Sequence, residues 1–142
     1  FLKRWGLETS GFWDDAMWEL SLVYHRQKRF KDEIRLLGDF IYTREETWLG
    51  SYELKNYKFA HLRIAKIYYV DYQDFRKAAE IFAEFPGQWP YSIFQDDALW
   101  WEAHAWRKAG EHALAETKFA ELMRRWPDSK YTRRVKEGAA AP

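Results

Sequence analysis

The sequence predicts an all-α chain, an α-solenoid of stacked antiparallel helix pairs with no sheet, and three observations carry that prediction. The first is an echo. Ser10-Gly-Phe12-Trp13-Asp14-Asp15-Ala16-Met17-Trp18 returns as Ser92-Ile-Phe94-Gln95-Asp96-Asp97-Ala98-Leu99-Trp100, at a constant offset of 82 residues. A shared S-x-F-x-D-D-A-[ML]-W string is too long to be an accident of composition, so the repeat comes before any site. The second is a recurring break, an apolar residue four positions before a Trp that is followed by Pro or Gly: Phe1 to Trp5-Gly6, Phe85 to Trp89-Pro90 and Leu122 to Trp126-Pro127. Proline cannot continue a helix, and a serine two residues later can accept hydrogen bonds from the first N–H groups of the next one, so P-x-S stops one helix and starts another. The third is helical spacing of apolar residues between the breaks.

Taken in order, residues 1–9 read as the end of a preceding repeat helix. Residues 10–54 form a long first unit, with its internal turn at Gln27-Lys-Arg29. Residues 55–91 form the second, opening at a weak boundary near Lys55-Asn56 and turning at Asp71-Tyr-Gln-Asp74. Residues 92–128 form the third, turning at Lys108-Ala-Gly-Glu111, and 129–142 start a following or capping helix. Ser92 to Ser129 measures the period as 37 residues, which leaves the first unit about eight longer. Ala78, Phe82 and Phe85 align with Ala115, Phe119 and Leu122 at that same offset. In the first unit Phe30, Leu37 and Phe40 take the corresponding places, but Glu33 stands where the others carry alanine, so this helix pair is expected to pack less closely. Ala98, Leu99, Ala103, Ala105 and Trp106 share a recurring face, as do Leu114, Phe119, Leu122 and Met123 after Gly110. The Ile- and Tyr-containing stretch 64–70 has some β character, yet Ala60, Leu62, Ala65 and Tyr69 keep helical spacing and no hairpin turn pair follows.

Composition narrows the function classes. Aromatic residues make up 20% of the chain, far more bulky apolar material than a disordered chain carries. Lys+Arg 23 against Asp+Glu 22 leaves a formal charge of +1, so no global field favours nucleic acid or an anionic membrane. With no cysteine, disulfides, thiolate metal sites and cysteine nucleophiles are excluded, while either redox compartment stays open. No apolar run approaches the roughly 20 residues of a membrane helix. The first residue is Phe1, and the beginning reads as cut rather than native.

No catalytic constellation emerges. The acidic pairs Asp14-Asp15, Asp32-Glu33, Glu45-Glu46 and Asp96-Asp97 lie on adjacent helical positions, about 100° apart, so they do not converge on one substrate atom. Acids in a first helical turn already have a role through the helix dipole. His25, His61, His104 and His112 lack the spacing that sets metal ligands on one helix face. His112 aligns with Phe30 and Phe75, where a ring is expected between the paired helices, and His25 and His104 are left as surface-contact candidates. The basic run Arg124, Arg125, Lys130, Arg133, Arg134 and Lys136 reads as a solvated helix end rather than a site for an acidic partner. No cofactor, metal or enzymatic activity is expected.

At this point the third unit resembles a tetratricopeptide repeat, through Leu99, Ala103, Trp106, Gly110-Glu111-His112, Ala115, Phe119, Leu122 and Pro127. The second unit matches through Leu62, Tyr69, Phe75, Ala78, Phe82, Phe85 and Pro90, departing at Lys66 where the family has a small residue. The first matches through Met17, Ser21, Tyr24, Phe30, Leu37 and Phe40, departing at Glu33 and lacking the closing proline. The resemblance covers about residues 10–136 and implies a right-handed superhelix in which Ala103 and Ala115 let two backbones approach. D-A-L-x-W and W-P-D-S-x-Y are further similar to bacterial cell-envelope members, among them outer-membrane assembly and pilus-assembly lipoproteins and periplasmic division proteins. Cytoplasmic repeat proteins and the helical arms of lytic transglycosylases share such motifs.

The resemblance implies a concave surface built from the first helix of each pair: Trp18, Leu22, His25, Arg26, Arg63, Ile67, Val70, Asp71, Trp100, His104, Arg107 and Lys108. Trp18 and Trp100, in equivalent places, are the expected anchors for a partner segment, with padding of neighbouring helices as the competing role. Members that hold chaperone carboxylates use lysine and asparagine here, so that ligand is disfavoured, although Arg63, Arg107 and Lys108 suit the carboxylates of another peptide. The expected function is a non-catalytic scaffold or adaptor that binds a protein or peptide in a larger assembly. It is placed in the periplasm or at the outer membrane, with the cytoplasm open; no nucleic acid and no transmembrane segment are involved. The alternative is a non-catalytic arm of a peptidoglycan-cleaving enzyme. A homotypic subunit stacking through exposed aromatics ranks third.

Overall fold

The structure is a computed structural model that describes residues 13–42 and 55–142. The expected helix remnant at 1–9, the capping role of Ser10 and the end of the long first unit at 43–54 lie outside the described residues. Among the described residues there are seven α-helices and no strand: α1 (Trp13–Arg26), α2 (Phe30–Tyr42), α3 (Lys55–Val70), α4 (Phe75–Gln88), α5 (Gln95–Lys108), α6 (His112–Arg125) and α7 (Lys130–Lys136). Helix α1 packs on α2, α4 on α5, α5 on α6 and α6 on α7, the local arrangement from which an α-solenoid is assembled. Two compact units result, Phe1–Ile64 and Ala65–Pro142, and the division falls within α3.

The repeat is written in the backbone of the turns. Lys28, Gln73 and Gly110 stand at equivalent places, 45 and then 37 residues apart, and all three have positive φ: 56°, 53° and 87°. At Lys28 and Gly110 the left-handed residue closes the helix with the same pair of bonds. Lys28 N–H donates to His25 C=O and Arg29 N–H to Tyr24 C=O, just as Gly110 N–H donates to Arg107 C=O and Glu111 N–H to Trp106 C=O. Only the third unit supplies the glycine that suits this conformation.

The P-x-S breaks are equally regular. Trp89 N–H donates to Phe85 C=O and Trp126 N–H to Leu122 C=O, so each tryptophan caps its helix. Ser92 and Ser129 then accept from the amides of Phe94 and Tyr131, both at 3.1 Å. Gln95 and Thr132, also 37 residues apart, reach back to the carbonyls of Trp89 and Trp126 at 3.2 and 2.7 Å. Two details differ from the expected pattern. Helix α4 runs through Pro86 to Gln88, because a proline in the last turn forfeits only one helical bond. Helix α5 begins later than α7 does relative to its serine, with Phe94 as N-cap and no side-chain cap bond.

In the first unit Leu37, Phe40, Tyr57 and Ala60 are buried, with the Phe40 and Tyr57 rings 4.5 Å apart. In the second, Ala78, Phe82, Phe85, Ala103, Ala115, Phe119 and Leu122 are buried, as the aligned apolar positions require. Ala103 and Ala115 both have no exposed surface, which places small side chains where α5 meets α6. His112 departs from its aligned phenylalanines: it is exposed at the first position of α6, where a polar ring keeps its hydration.

Candidate functional site

Helix α5 carries most of the candidate chemistry, and its successive side chains point about 100° apart. Trp100 and His104 lie one turn along the same stripe and are both buried. The Trp100 ring lies 5.0 Å from Tyr131 of α7 and 4.8 Å from His104, whose imidazole stands edge-on to Phe119 of α6 at 4.9 Å. Burial, followed by the nearby charges of Arg107 and Lys108, lowers the His104 pKa to about 4, so the ring is neutral at pH 7. Arg107 is occupied by Glu116, 2.7 Å away, and covers Phe119. Lys108 is exposed, with its ammonium 5.8 Å from the Phe75 ring. Ile67, aligned with His104, is buried as well. Trp100, His104 and Ile67 are therefore packed inside the fold, with Tyr131 of α7 against Trp100, while Arg107 and Lys108 lie at the surface.

One residue further along α5 the neighbours change. Trp101 is half-buried, perpendicular to Tyr69 at 5.2 Å and stacked on Phe82 at 5.8 Å, while the Lys66 ammonium sits 4.8 Å over its ring. Asp97, one turn earlier, joins Trp101, Lys66, Tyr131 and Arg134 in lining an open cleft of about 450 Å³. The edge of Trp100 contributes, and residues 139–142 form a further wall. Burial, then hydrogen bonding to Asp97, pushes the Tyr131 phenol well above its ordinary pKa, so it stays protonated. The Arg134 guanidinium lies 5.5 Å from the Trp100 ring and 5.8 Å from that of Tyr131. Ion pairs elsewhere in this unit use Arg76, Lys77, Arg107, Lys118 and Arg125. The cleft thus combines two cations, aromatic walls and one acid, a composition suited to holding a peptide segment.

In the first unit the expected surface is tied down internally. Glu33 is completely buried, and its oxygens contact His25 Nδ1 at 2.8 Å and Arg63 Nε at 2.5 Å. The departure from alanine at this place is answered by charge pairing rather than by open space. His25 and Arg63, candidates for an external partner, each give one nitrogen to this carboxylate. Trp18 is half-buried, 6.3 Å from Phe59, with the Arg63 guanidinium 5.8 Å from its ring. Leu22 is half-buried and Arg26 exposed; of the remaining expected positions, which belong to the other compact unit, Val70 is exposed and Asp71 half-buried.

The acidic pair at the start of α5 does not converge on one point. Asp96 accepts from Ser129 Oγ at 2.6 Å, whereas Asp97 faces Tyr131, so the two acids dock α7 onto α5. Glu102 is buried between α5 and α6, held by Lys118 at 3.0 Å and Trp106 Nε1 at 3.1 Å, and burial raises its pKa. Among the described residues no group of three His, Asp or Glu side chains is placed to hold a metal ion, and no helix is long and apolar enough to cross a membrane.

Lys66, Trp101, Tyr131 and Arg134 were not among the expected binding residues. Their signal lay in the sequence as Asp97 and Trp101, four residues apart on one helix face, and as Lys66 replacing a small residue. Comparison with protein-family models and with curated protein sequences returns no match.

Proposed function

We propose that this chain is a non-catalytic scaffold of tetratricopeptide type that holds a protein segment in the cleft between α3, α5 and α7. The observation that carries the reading is the lining of that cleft. Trp101 and Tyr131 offer large rings with few rotatable bonds, and Lys66 and Arg134 stand over aromatic faces outside the ion pairs of the unit. Buried side chains of α5 instead secure α6 and α7, which supports a rigid platform. The wider expectation, an adaptor in a bacterial cell-envelope assembly, rests on the resemblance of its D-A-L-x-W and W-P-D-S-x-Y strings. The enzyme-arm alternative draws no particular support from the cleft.

The test is cross-linking and mass spectrometry of the native complex. Lys66 should cross-link to a partner peptide, and Trp101→Ala should abolish that link while circular dichroism stays helical. Partner cross-links that avoid Lys66 and persist in Trp101→Ala would place binding elsewhere and remove this reading.

A further inference from the structure

The wall formed by residues 139–142 is held where it is by the way α7 ends. Gly138 adopts φ 66°, its N–H donates to Val135 C=O, and Ala139 N–H donates to Arg134 C=O at 2.9 Å. This is the same left-handed closure as at Lys28 and Gly110, and it reverses the chain just beyond the helix. At the two earlier places the reversal delivers the next helix. Here it delivers Ala139-Ala-Ala-Pro142, which has no helical structure and lines the cleft together with Lys66, Trp101 and Tyr131. The segment has no large side chain to bury and all four residues are exposed, so little beyond the α7 cap holds it down.

We propose that residues 139–142 are a displaceable strap, a short run of small residues that occupies the approach to the Trp101 and Tyr131 rings until a partner segment of similar chemistry exchanges with it. This rests on the cleft being the binding surface. The partner segment is then extended and built from small residues around a proline, because it takes the place of Ala139-Ala-Ala-Pro142 in the same cleft. A tethered strap competes at an effective concentration in the millimolar range, so it lowers the apparent affinity of an incoming peptide by the fraction of time the cleft is covered.

Deletion of residues 140–142 tests the strap while keeping Ala139, and with it the α7 cap. The probe is the synthetic peptide acetyl-Gly-Ala-Ala-Ala-Pro, and the readout is the Trp101 indole N–H resonance. The deletion should shift that resonance, and the peptide added in trans should move it back toward its position in the intact chain. The intact chain should need about tenfold more peptide for the same response. A Trp101 resonance unmoved by the deletion would overturn the proposal, as would equal responses from both chains. Light scattering must show the shortened chain as monomeric, since dimerisation that accounts for the shift would mean that a second copy fills the cleft. Native cross-links that fall elsewhere would sink the scaffold reading and with it the exchange with a partner, even where the peptide titration shows residues 140–142 over the Trp101 ring.

Discussion

Arg63 Nε lies 2.5 Å from the Glu33 carboxylate, and Glu33 has no exposed surface, so a charge from α3 neutralises one that α2 has buried. His25 of α1 completes the arrangement from the other side. The repeat equivalents of Glu33 are Ala78 and Ala115, both fully buried, which means the position tolerates a small residue. Arg63→Ala should therefore cost about 3 kcal/mol, because it strands a buried carboxylate, while Glu33→Ala should cost about 1 kcal/mol, because it removes the charge along with its need for partners. The double substitution should be no worse than Glu33→Ala. Urea denaturation of the three variants measures this, and simple additivity would show that the pair is not coupled.

That pair also marks the limit of what the sequence could reveal. Glu33 was legible as a misfit in an alanine column, but not its partners, since Arg63 lies 30 residues away and looked like a surface cation. Turns and breaks were legible because Gly110, Pro90, Pro127, Ser92 and Ser129 act through local bonds that recur with the period. The cleft was not, because choosing Trp100 over Trp101 as the presented ring depends on the rotation of α5, and one residue swings a side chain by about 100°. The rotation is fixed by what α5 packs against, α4, α6 and Tyr131 of α7, which an internal pattern within α5 does not contain.

Lys28 carries the left-handed turn that Gly110 carries in the third unit, at φ 56°. A Cβ disfavours this conformation, so Lys28→Gly should stabilise the chain by about 0.5–1 kcal/mol despite the extra freedom glycine has when unfolded. Gly110→Ala should destabilise by a similar amount, since φ 87° is strained for alanine even though open space surrounds the added carbon. Thermal unfolding monitored by circular dichroism compares them. Opposite signs are expected, and a shared sign would mean that the turns are not equivalent.

His104 gives the fold a definite response to acid. Its ordinary pKa of 6.5 falls to about 4 in the folded chain, so between these values the unfolded state binds more protons and stability drops as the pH drops. The loss from this one group is on the order of 3 kcal/mol across the window. His104→Leu, which matches the apolar Leu22 and Ile67 at the aligned places, should remove that part of the slope between pH 7 and 4.5. Denaturant midpoints of both chains at the two pH values give the answer, and an unchanged slope would show that His104 titrates normally.

Trp100 and Trp101 should separate stability from binding. Trp100 is buried between His104 and Tyr131, and its replacement by alanine leaves a cavity where α7 docks, at a cost of about 3–5 kcal/mol. Trp101 is half-buried, and Trp101→Phe keeps a ring against Tyr69 and Phe82 while shrinking the surface under Lys66. Its stability cost should stay under about 1.5 kcal/mol, as expected of a conservative apolar replacement. Partner affinity should follow the opposite order among folded variants, with Trp101→Phe weakening capture more than Trp100→Phe does. Paired denaturation and binding titrations on the two phenylalanine variants decide it. A larger affinity loss at Trp100 would return the anchor to the stripe that α7 now covers.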